Sequence, residues 1–571
     1  MPVETLVNGT NEAIDWHAIN WPKAYRMLKN LRSRIFRAAK EGDLKKVRSL
    51  QKLMLRSYAN TVTSVRKVTQ VNSGKHTPGV DQITVKTAKG RGRLTDGLLS
   101  RSLWHAKPAR RIYILKDNGK QRPLGIPIVR ERCLQTITAN ALEPEWEARF
   151  EASSYGFRPG RSCHDAIERI FAVARSGSLR KWVIDADIQG AFDNIDHDFL
   201  LQAIGNFPAK NYIKQWLKAG YMEGDIFYKT EQGTPQGACC SPLLANIALH
   251  GMEKMIGLRY ASNGILKGDR RMVRYADDFA IFCRTKDDAE QMLPVLREWL
   301  SIRGLKLSEE KTRIVHLEQG FDFLGFNIRS YPVANKRKKT VTLIKPSKKA
   351  EQKIRDKLKA EWQTQKTANI EGLVKAINPI IRGWANYHRT GVAKKIFHSL
   401  DHWMFLKQCR HIIRMHNKKS WAWRRKKYFG RFSLERSDRW VFGSKKTGRY
   451  MLKFNWFKIE RHTMVIDRSS PDDPSLKEYW KSREKVKMRD LTLGKQKIAK
   501  WQNYLCPVCK TSLFNDEELH LHHTQPKLKG GKNTYQNLRL VHEGCHYQLH
   551  SSSYNAIAVK NKILCSDTLF A

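Results

Sequence analysis

The sequence predicts a multidomain protein in which a central α+β domain is followed by a helical unit, a basic segment and a small terminal domain rich in histidine and cysteine. Three observations predict it. The chain has 571 residues, several times the ~150 that one domain takes. Between residues 181 and 325 short β-patterned runs alternate with helical ones, the rhythm of an α+β domain. From about residue 345 to residue 415 the pattern turns helical, with Leu373, Ile377, Ile380, Ile381 and Trp384 on one spacing.

Composition narrows the function classes. With 41% hydrophobic and 10% aromatic residues and no uncharged apolar run near the ~18 residues of a membrane span, disordered, collagenous and transmembrane classes are excluded and no membrane partner is expected. The 105 Lys and Arg against 54 Asp and Glu leave a net charge of +51, which repels itself unless a polyanion neutralises it, so nucleic acid is the expected partner. Ten cysteines lack the spacing of a disulfide scaffold, which fits a reducing compartment. Residues 1–16 carry neither an apolar signal core nor an Arg-rich transit pattern, so a cytoplasmic location is expected.

Residues 21–58 place Leu28, Leu31 and Ile35, then Leu44, Val47, Leu50 and Met54, at helical spacing, with Glu41-Gly42-Asp43 between the two runs. Two basic amphipathic helices are expected, with their outer faces available to RNA. Residues 75–81 and 112–127 are richer in Gly, Pro and β-formers and read as strands and turns, so a new fold unit is expected near residue 70. Lys181-Trp-Val-Ile-Asp-Ala-Asp187 is an apolar strand ending in acid, followed by Ile188-Gln-Gly-Ala-Phe192-Asp193. Arg271-Met-Val-Arg-Tyr275-Ala276-Asp277-Asp278-Phe-Ala-Ile-Phe-Cys283 reads as strand, acidic tight turn, strand. Adjacent carboxylates between apolar strands repel each other and resist burial, so they call for a cation. Oxygen ligands favour magnesium, and a pair of such ions suits in-line phosphoryl displacement. On these residues alone, a surface hairpin with an exposed acidic turn remains open.

Tyr-Ala-Asp-Asp after an Asp-Ile-x-x-x-Phe-Asp segment resembles the catalytic palm of reverse transcriptases, with Gly233-Thr-Pro-Gln-Gly237 and Ser241-Pro-Leu-Leu-Ala-Asn246 similar to that family's loop beneath the incoming nucleotide. The resemblance implies that Asp187 and Asp277 hold magnesium with Asp278 in support, that Gln236 contacts the nucleotide, and that Phe192 gates against a ribose 2′-hydroxyl. Leu115-Lys116-Asp-Asn-Gly-Lys120-Gln-Arg122-Pro resembles the fingers hairpin, where Lys116, Lys120 and Arg122 would face the triphosphate of a dNTP. Leu305-Lys-Leu-Ser308-Glu-Glu-Lys311-Thr312, whose Lys311 joins the substrate side, and Phe321-Asp-Phe-Leu-Gly-Phe326 look like the closing palm and primer-grip motifs.

Ile380-Ile-Arg382-Gly383-Trp384-Ala-Asn-Tyr387-His388 resembles the thumb, or maturase domain X, of group II intron-encoded proteins. Residues 336–349 and 417–431 each carry seven Lys or Arg and no acid, and Trp421, Trp423, Tyr428 and Phe429 interleave the second cluster, which offers stacking faces beside Arg424, Arg425, Lys426 and Lys427. That cluster occupies the family's DNA-binding position.

The terminal domain has its own chemistry. Cys506-Pro-Val-Cys509 and His542-Glu-Gly-Cys545 are two ligand pairs of equal spacing, enough for a closed tetrahedral zinc site. His546 and His550 share one helix face, whereas His522 and His523, adjacent on a strand, point to opposite faces. The arrangement resembles HNH, or ββα-metal, nucleases: His522, His546 and His550 would bind a divalent ion, His523 would be the general base, and Asn537 would orient its loop. His520 stands where related domains often carry an acid, and its role is open.

The expectation is thus an α+β right-hand reverse transcriptase with fingers and palm (residues 71–340), an N-terminal basic RNA-binding extension (1–70), a helical thumb or domain X (341–416), a basic DNA-binding region (417–500) and a small ββα-metal HNH zinc domain (501–571). Its expected partners are group II intron RNA, target double-stranded DNA and dNTPs. It would act in the bacterial cytoplasm, at the nucleoid when on DNA. A retron-like or diversity-generating reverse transcriptase and a non-catalytic RNA-binding splicing factor are the alternatives.

Overall fold

A computed structural model describes residues 14–551 except 101–103, 116–118, 120, 176, 262–265, 336–337, 434–435 and 516. Lys116 and Lys120 therefore lie outside the described residues. No described helix is long and apolar enough to cross a membrane.

The N-terminal pattern folds as three helices, α1 (Trp21–Lys40), α2 (Leu44–Leu55) and α3 (Tyr58–Arg66). Asn20 caps α1 by accepting from the Lys23 amide, Gly42 turns the chain at φ +78°, and Asp43 caps α2. Their apolar stripes, with Leu31, Ile35, Val47, Leu50 and Met54, enter one core with Ala141 and Trp146 of α4 (Val129–Glu147) and with Ile184 and Ile281 of the central sheet. Several basic residues expected on outer faces point inward instead: Arg32 pairs with Glu143 and Asp472, and Arg48 with Glu145. One core runs through residues on both sides of position 70.

Strands β1 (Ala109–Leu115) and β2 (Gln121–Ile126) form the fingers hairpin. The palm is a four-stranded antiparallel sheet of β3 (Trp182–Asp187), β4 (Arg271–Tyr275), β5 (Asp278–Cys283) and β6 (Arg313–His316), in spatial order β6-β3-β5-β4. Helix α5 (Ser241–Ala248) shares the core of this sheet and carries Pro242 in its first turn, where the missing N–H costs nothing.

The long hairpin of β7 (Phe326–Asn335) and β8 (Lys338–Pro346) leads into three helices, α6 (Lys348–Thr364), α7 (Ile370–His388) and α8 (Lys394–Met415), which share a core of Leu358, Ile377, Phe397 and Leu400. Helix α9 (Trp421–Tyr428) carries the aromatic basic cluster. Here the structure corrects the sequence reading. Tyr428 and Phe429 belong to the helical core with Phe442 and Phe454, so only Trp421 and Trp423 present exposed rings. Arg424 is buried too, donating to the carbonyls of His416 and Asn417, which removes it from the set of free phosphate ligands.

The terminal domain is a ββα unit: β9 (Leu519–His523) pairs antiparallel with β10 (Leu538–His542), and α10 (Glu543–Leu549) follows. Its apolar side shares a core with Trp16, Trp21, Val62 and Val65 of the N-terminal segment.

Candidate active sites and metal centres

Strand pairing sets the palm site. Asp187, the last residue of β3, stands opposite Asp278, the first of β5, and Tyr275 pairs with Asp278 across the hairpin, leaving Ala276 and Asp277 as the turn. Ala276 takes φ +58°, a left-handed conformation that holds the two adjacent aspartates at the sheet end. Burial, the charge of Asp277 and hydrogen bonding with Asp187 push the Asp278 carboxyl up to about 7, and burial first also raises Asp277. The Lys311 Nζ lies 2.7 Å from Asp187 Oδ2, and two residues on Arg313 pairs with Asp185 at 3.0 Å. Carboxylates that resist ionisation without more positive charge are the donor chemistry that a hard divalent cation satisfies. The three palm aspartates do not, however, draw their oxygens into one tight group as the terminal-domain ligands do.

Two buried polar residues back the turn. Arg274 Nη1 donates to Asn246 Oδ1 (3.1 Å) and to the Ala276 carbonyl (3.3 Å), while Asn246 Nδ2 donates to the Gly156 carbonyl (2.9 Å). Gly156 lies so close that a Cβ there would come within 2.4 Å of the Ala276 nitrogen. The Asn that ends the Ser-Pro-Leu-Leu-Ala-Asn motif thus braces the Ala276–Asp277 turn from behind.

Beside the fingers hairpin, Arg122 Nε donates to Gln236 Oε1 (2.9 Å), and Gln236 Nε2 donates to Asp193 Oδ2 (3.0 Å). The fingers hairpin and the Gly233–Gly237 loop are thereby joined, and the Gly125 amide donates to the Gln236 carbonyl (2.7 Å). Gly233 passes the Asp193 carbonyl so closely that a Cβ would sit 2.4 Å from its oxygen. Phe192 follows a left-handed Gly190 and meets Phe157 edge to face at 6.0 Å; it is 8% exposed and belongs to the palm core.

In the terminal domain Cys506, Cys509, His542 and Cys545 are all buried, with ligand atoms within 4.8 Å of one another; a tetrahedral zinc–thiolate site needs sulfurs ~3.8 Å apart. Lys510, at φ +56°, turns the knuckle so that its amide donates to the Cys506 carbonyl. Hydrogen bonds from Cys509 and Cys545 bring Cys506 down to about 3. His542 turns Nδ1 toward Cys509 Sγ (3.3 Å) and Nε2 toward the Ser512 carbonyl (3.1 Å), the outer hydrogen bond that orients a metal-binding imidazole. The set fits zinc.

His522, His546 and His550 form a second group within 4.8 Å, more open to solvent. Burial first, then the neighbouring imidazoles, lowers His522 to about 4, so it is neutral and ligand-competent near pH 7. His520 contacts the other nitrogen of His546, Nδ1 to Nδ1 at 3.3 Å. His523 faces away from the trio, and its Nε2 bonds Asn533 Oδ1 at 2.8 Å. Asn533 is the residue that sequence reasoning missed. Asn537 accepts from the Gln525 amide and donates to the carbonyls of Gln525 and Lys532, so it closes the loop that carries Asn533. Gly531 is needed there, since a Cβ would meet the Gln525 carbonyl oxygen at 1.9 Å.

Comparison with known proteins matches this layout. The reverse transcriptase (RNA-dependent DNA polymerase) family model matches residues 114–328 and the N-terminal domain of reverse transcriptase residues 16–98. The group II intron maturase-specific domain matches residues 348–429, and the HNH endonuclease model residues 506–552. Protein YkfC of Escherichia coli is 35% identical over 314 residues, 48% of this chain and 82% of that protein. The group II intron-encoded protein LtrA of Lactococcus lactis is 34% identical over 287 residues, 40% of this chain, and the match spans about half of LtrA (47%). Maturase-like protein 1 of Euglena gracilis is 26% identical over 66% of this chain and 79% of its own length. The chain belongs to the group II intron-encoded proteins and carries reverse transcriptase, maturase and HNH endonuclease domains.

Proposed function

We propose that the protein acts as a ribonucleoprotein with its group II intron RNA. It supports the folded intron during splicing, helps the excised RNA insert into one strand of target double-stranded DNA, nicks the opposite strand with its terminal domain, and extends the cut 3′ end with dNTPs by copying the intron. One observation carries this reading: a single chain holds two separate sites suited to phosphoryl chemistry, the palm aspartates and the histidine trio with His523 beside it.

In the palm, Asp187, Asp277 and Asp278 would hold magnesium, which when bound supplies charge stabilisation for phosphoryl transfer. Arg122 and Gln236 present a guanidinium and an amide to the nucleotide, and Lys116 and Lys120 would extend that basic surface; Lys311 holds Asp187 in place. Phe192 would exclude the 2′-hydroxyl by volume. In the nuclease, His522, His546 and His550 would hold a divalent ion. With Asn533 Oδ1 accepting from Nε2–H, the lone pair of His523 lies on Nδ1, the atom that takes the proton from the attacking water. The Cys506, Cys509, His542 and Cys545 set would hold structural zinc, whose binding energy is part of the domain's folding energy.

Purified protein mixed with intron RNA should assist splicing, extend a primer on an RNA template and nick the second DNA strand in one preparation. Extension without splicing support would point to a retron-like or diversity-generating enzyme, and splicing support without extension or nicking to an RNA-binding factor.

A further inference from the structure

The zinc cluster is not sealed inside the terminal domain. Arg66, the last residue of α3, is 1% exposed and directs Nη2 at two acceptors across the domain boundary, Cys545 Sγ (3.0 Å) and Glu517 Oε2 (2.9 Å). Its guanidinium also lies 4.6 Å from the centre of the Trp21 ring. Around it the two segments are closely fitted. A Cβ on Gly544, next to the ligand Cys545, would lie 3.2 Å from Gln70 Nε2 and 3.4 Å from Arg66 Nη2. Gln548 Nε2 donates to the carbonyls of His17 (2.8 Å) and Ile19 (3.2 Å), and Lys75 pairs with Glu543 at 2.8 Å. Cys506, Leu540, Val541 and Cys545 share one core with Trp16, Trp21, Val62 and Val65.

We propose that the zinc centre is an interdomain joint, in which Arg66 of the N-terminal extension is the charge partner of the zinc thiolates and metal binding fixes the nuclease domain to that extension. The inference rests on the zinc reading above. Three thiolates around one divalent ion leave a net negative charge in a buried place, which needs a cation nearby. Within the terminal domain, Glu517 adds negative charge at this spot, and Arg66 supplies the positive charge from the other side of the boundary. The thiolates in turn help hold a guanidinium that is almost fully removed from water. Loss of the metal removes the ion that draws Cys506, Cys509, His542 and Cys545 together, leaves Arg66 with Glu517 as its fixed partner and loosens the contact. The polymerase's N-terminal helices and the nuclease then stop moving as one body.

The test uses the full-length protein. Elemental analysis of the wild type comes first, with one zinc per chain expected; zinc-free protein with a folded terminal domain overturns the zinc reading and the joint with it. In zinc-containing protein, release to a chromogenic chelator is compared between wild type and Arg66→Met. The joint predicts release about tenfold faster in the variant, the usual scale for losing an outer hydrogen bond to a metal ligand. Equal release rates overturn the joint and leave the zinc reading standing. Because Arg66→Met can disturb α3 by itself, hydrogen exchange is also followed on wild-type protein before and after zinc is stripped. The joint predicts lost protection in residues 58–71 as well as in 501–551, with β3 and β5 unchanged. Lost protection confined to residues 501–551 overturns it.

Discussion

Asn246 and Arg274 form a buried hydrogen-bonded pair at 3.1 Å that holds the Ala276–Asp277 turn from behind, Arg274 reaching the Ala276 carbonyl and Asn246 the Gly156 carbonyl. The left-handed Ala276 and the close approach of Gly156 show how tightly this turn is fitted. Asn246 touches no aspartate, so it is a positioning residue. Asn246→Ala should leave the Arg274 guanidinium short of an acceptor, costing ~1–3 kcal/mol of stability. Misplacing Asp277 and Asp278 by a fraction of an ångström should lower kcat for dNTP addition by up to ~10²-fold, with KM nearly unchanged. Steady-state primer extension beside thermal unfolding reads both; a change in KM alone would place Asn246 on the nucleotide instead.

Phe192 packs edge to face on Phe157 and keeps 8% of its surface exposed. If the ring is the gate, Phe192→Ala should raise ribonucleotide incorporation relative to deoxynucleotide by about tenfold or more, equal to ~1.4 kcal/mol of lost discrimination. Competition between the two nucleotide types on one primer measures it. A folded, active variant with unchanged sugar selectivity and a large loss of stability returns Phe192 to the core.

The basic helix α9 divides into two roles. Arg425, Lys426 and Lys427 are exposed, with the Lys427 ammonium 4.7 Å from the Trp423 ring, whereas Arg424 is tied to two carbonyls. Replacing the three exposed residues by Gln should flatten the dependence of log K for DNA on log salt by roughly two to three units, at ~0.9 per phosphate released. Arg424→Gln should lower stability and leave the slope unchanged. Filter binding at several salt concentrations separates the two.

What the sequence made legible, and what it hid, follows from how far each interaction reaches along the chain. The palm carboxylates were readable because period-two strands ending in acid fix both the pairing and the side on which Asp187 and Asp278 meet. The Cys506–Cys509 and His542–Cys545 pairs were readable from their equal spacing, and the His522, His546 and His550 trio from the resemblance to HNH nucleases. Asn533 was not, since nothing in the loop marks position 533 over 537 until the turn closed by Asn537 is built. Arg66 lies 479 residues from Cys545, and Arg32 lies 440 from Asp472, so no local pattern announces either pair. The burial of Tyr428 and Phe429 was decided by Phe442, which packs on both rings from later in the chain.

We propose that one chain carries two independent chemistries, polymerisation in the palm and second-strand cleavage in the ββα domain. This division is tested most directly by a single strand-specific assay: protein with intron RNA on target DNA labelled on each strand, run with wild type, Asp277→Ala with Asp278→Ala, and His523→Ala. The wild type should insert RNA into one strand, nick the other and synthesise cDNA. The double aspartate variant should lose cDNA while keeping insertion and the nick, and His523→Ala should lose the nick while keeping insertion and extension from a pre-nicked target. A nick that persists in folded His523→Ala protein, or that disappears with the palm aspartates, would show that the two sites do not divide the chemistry in this way.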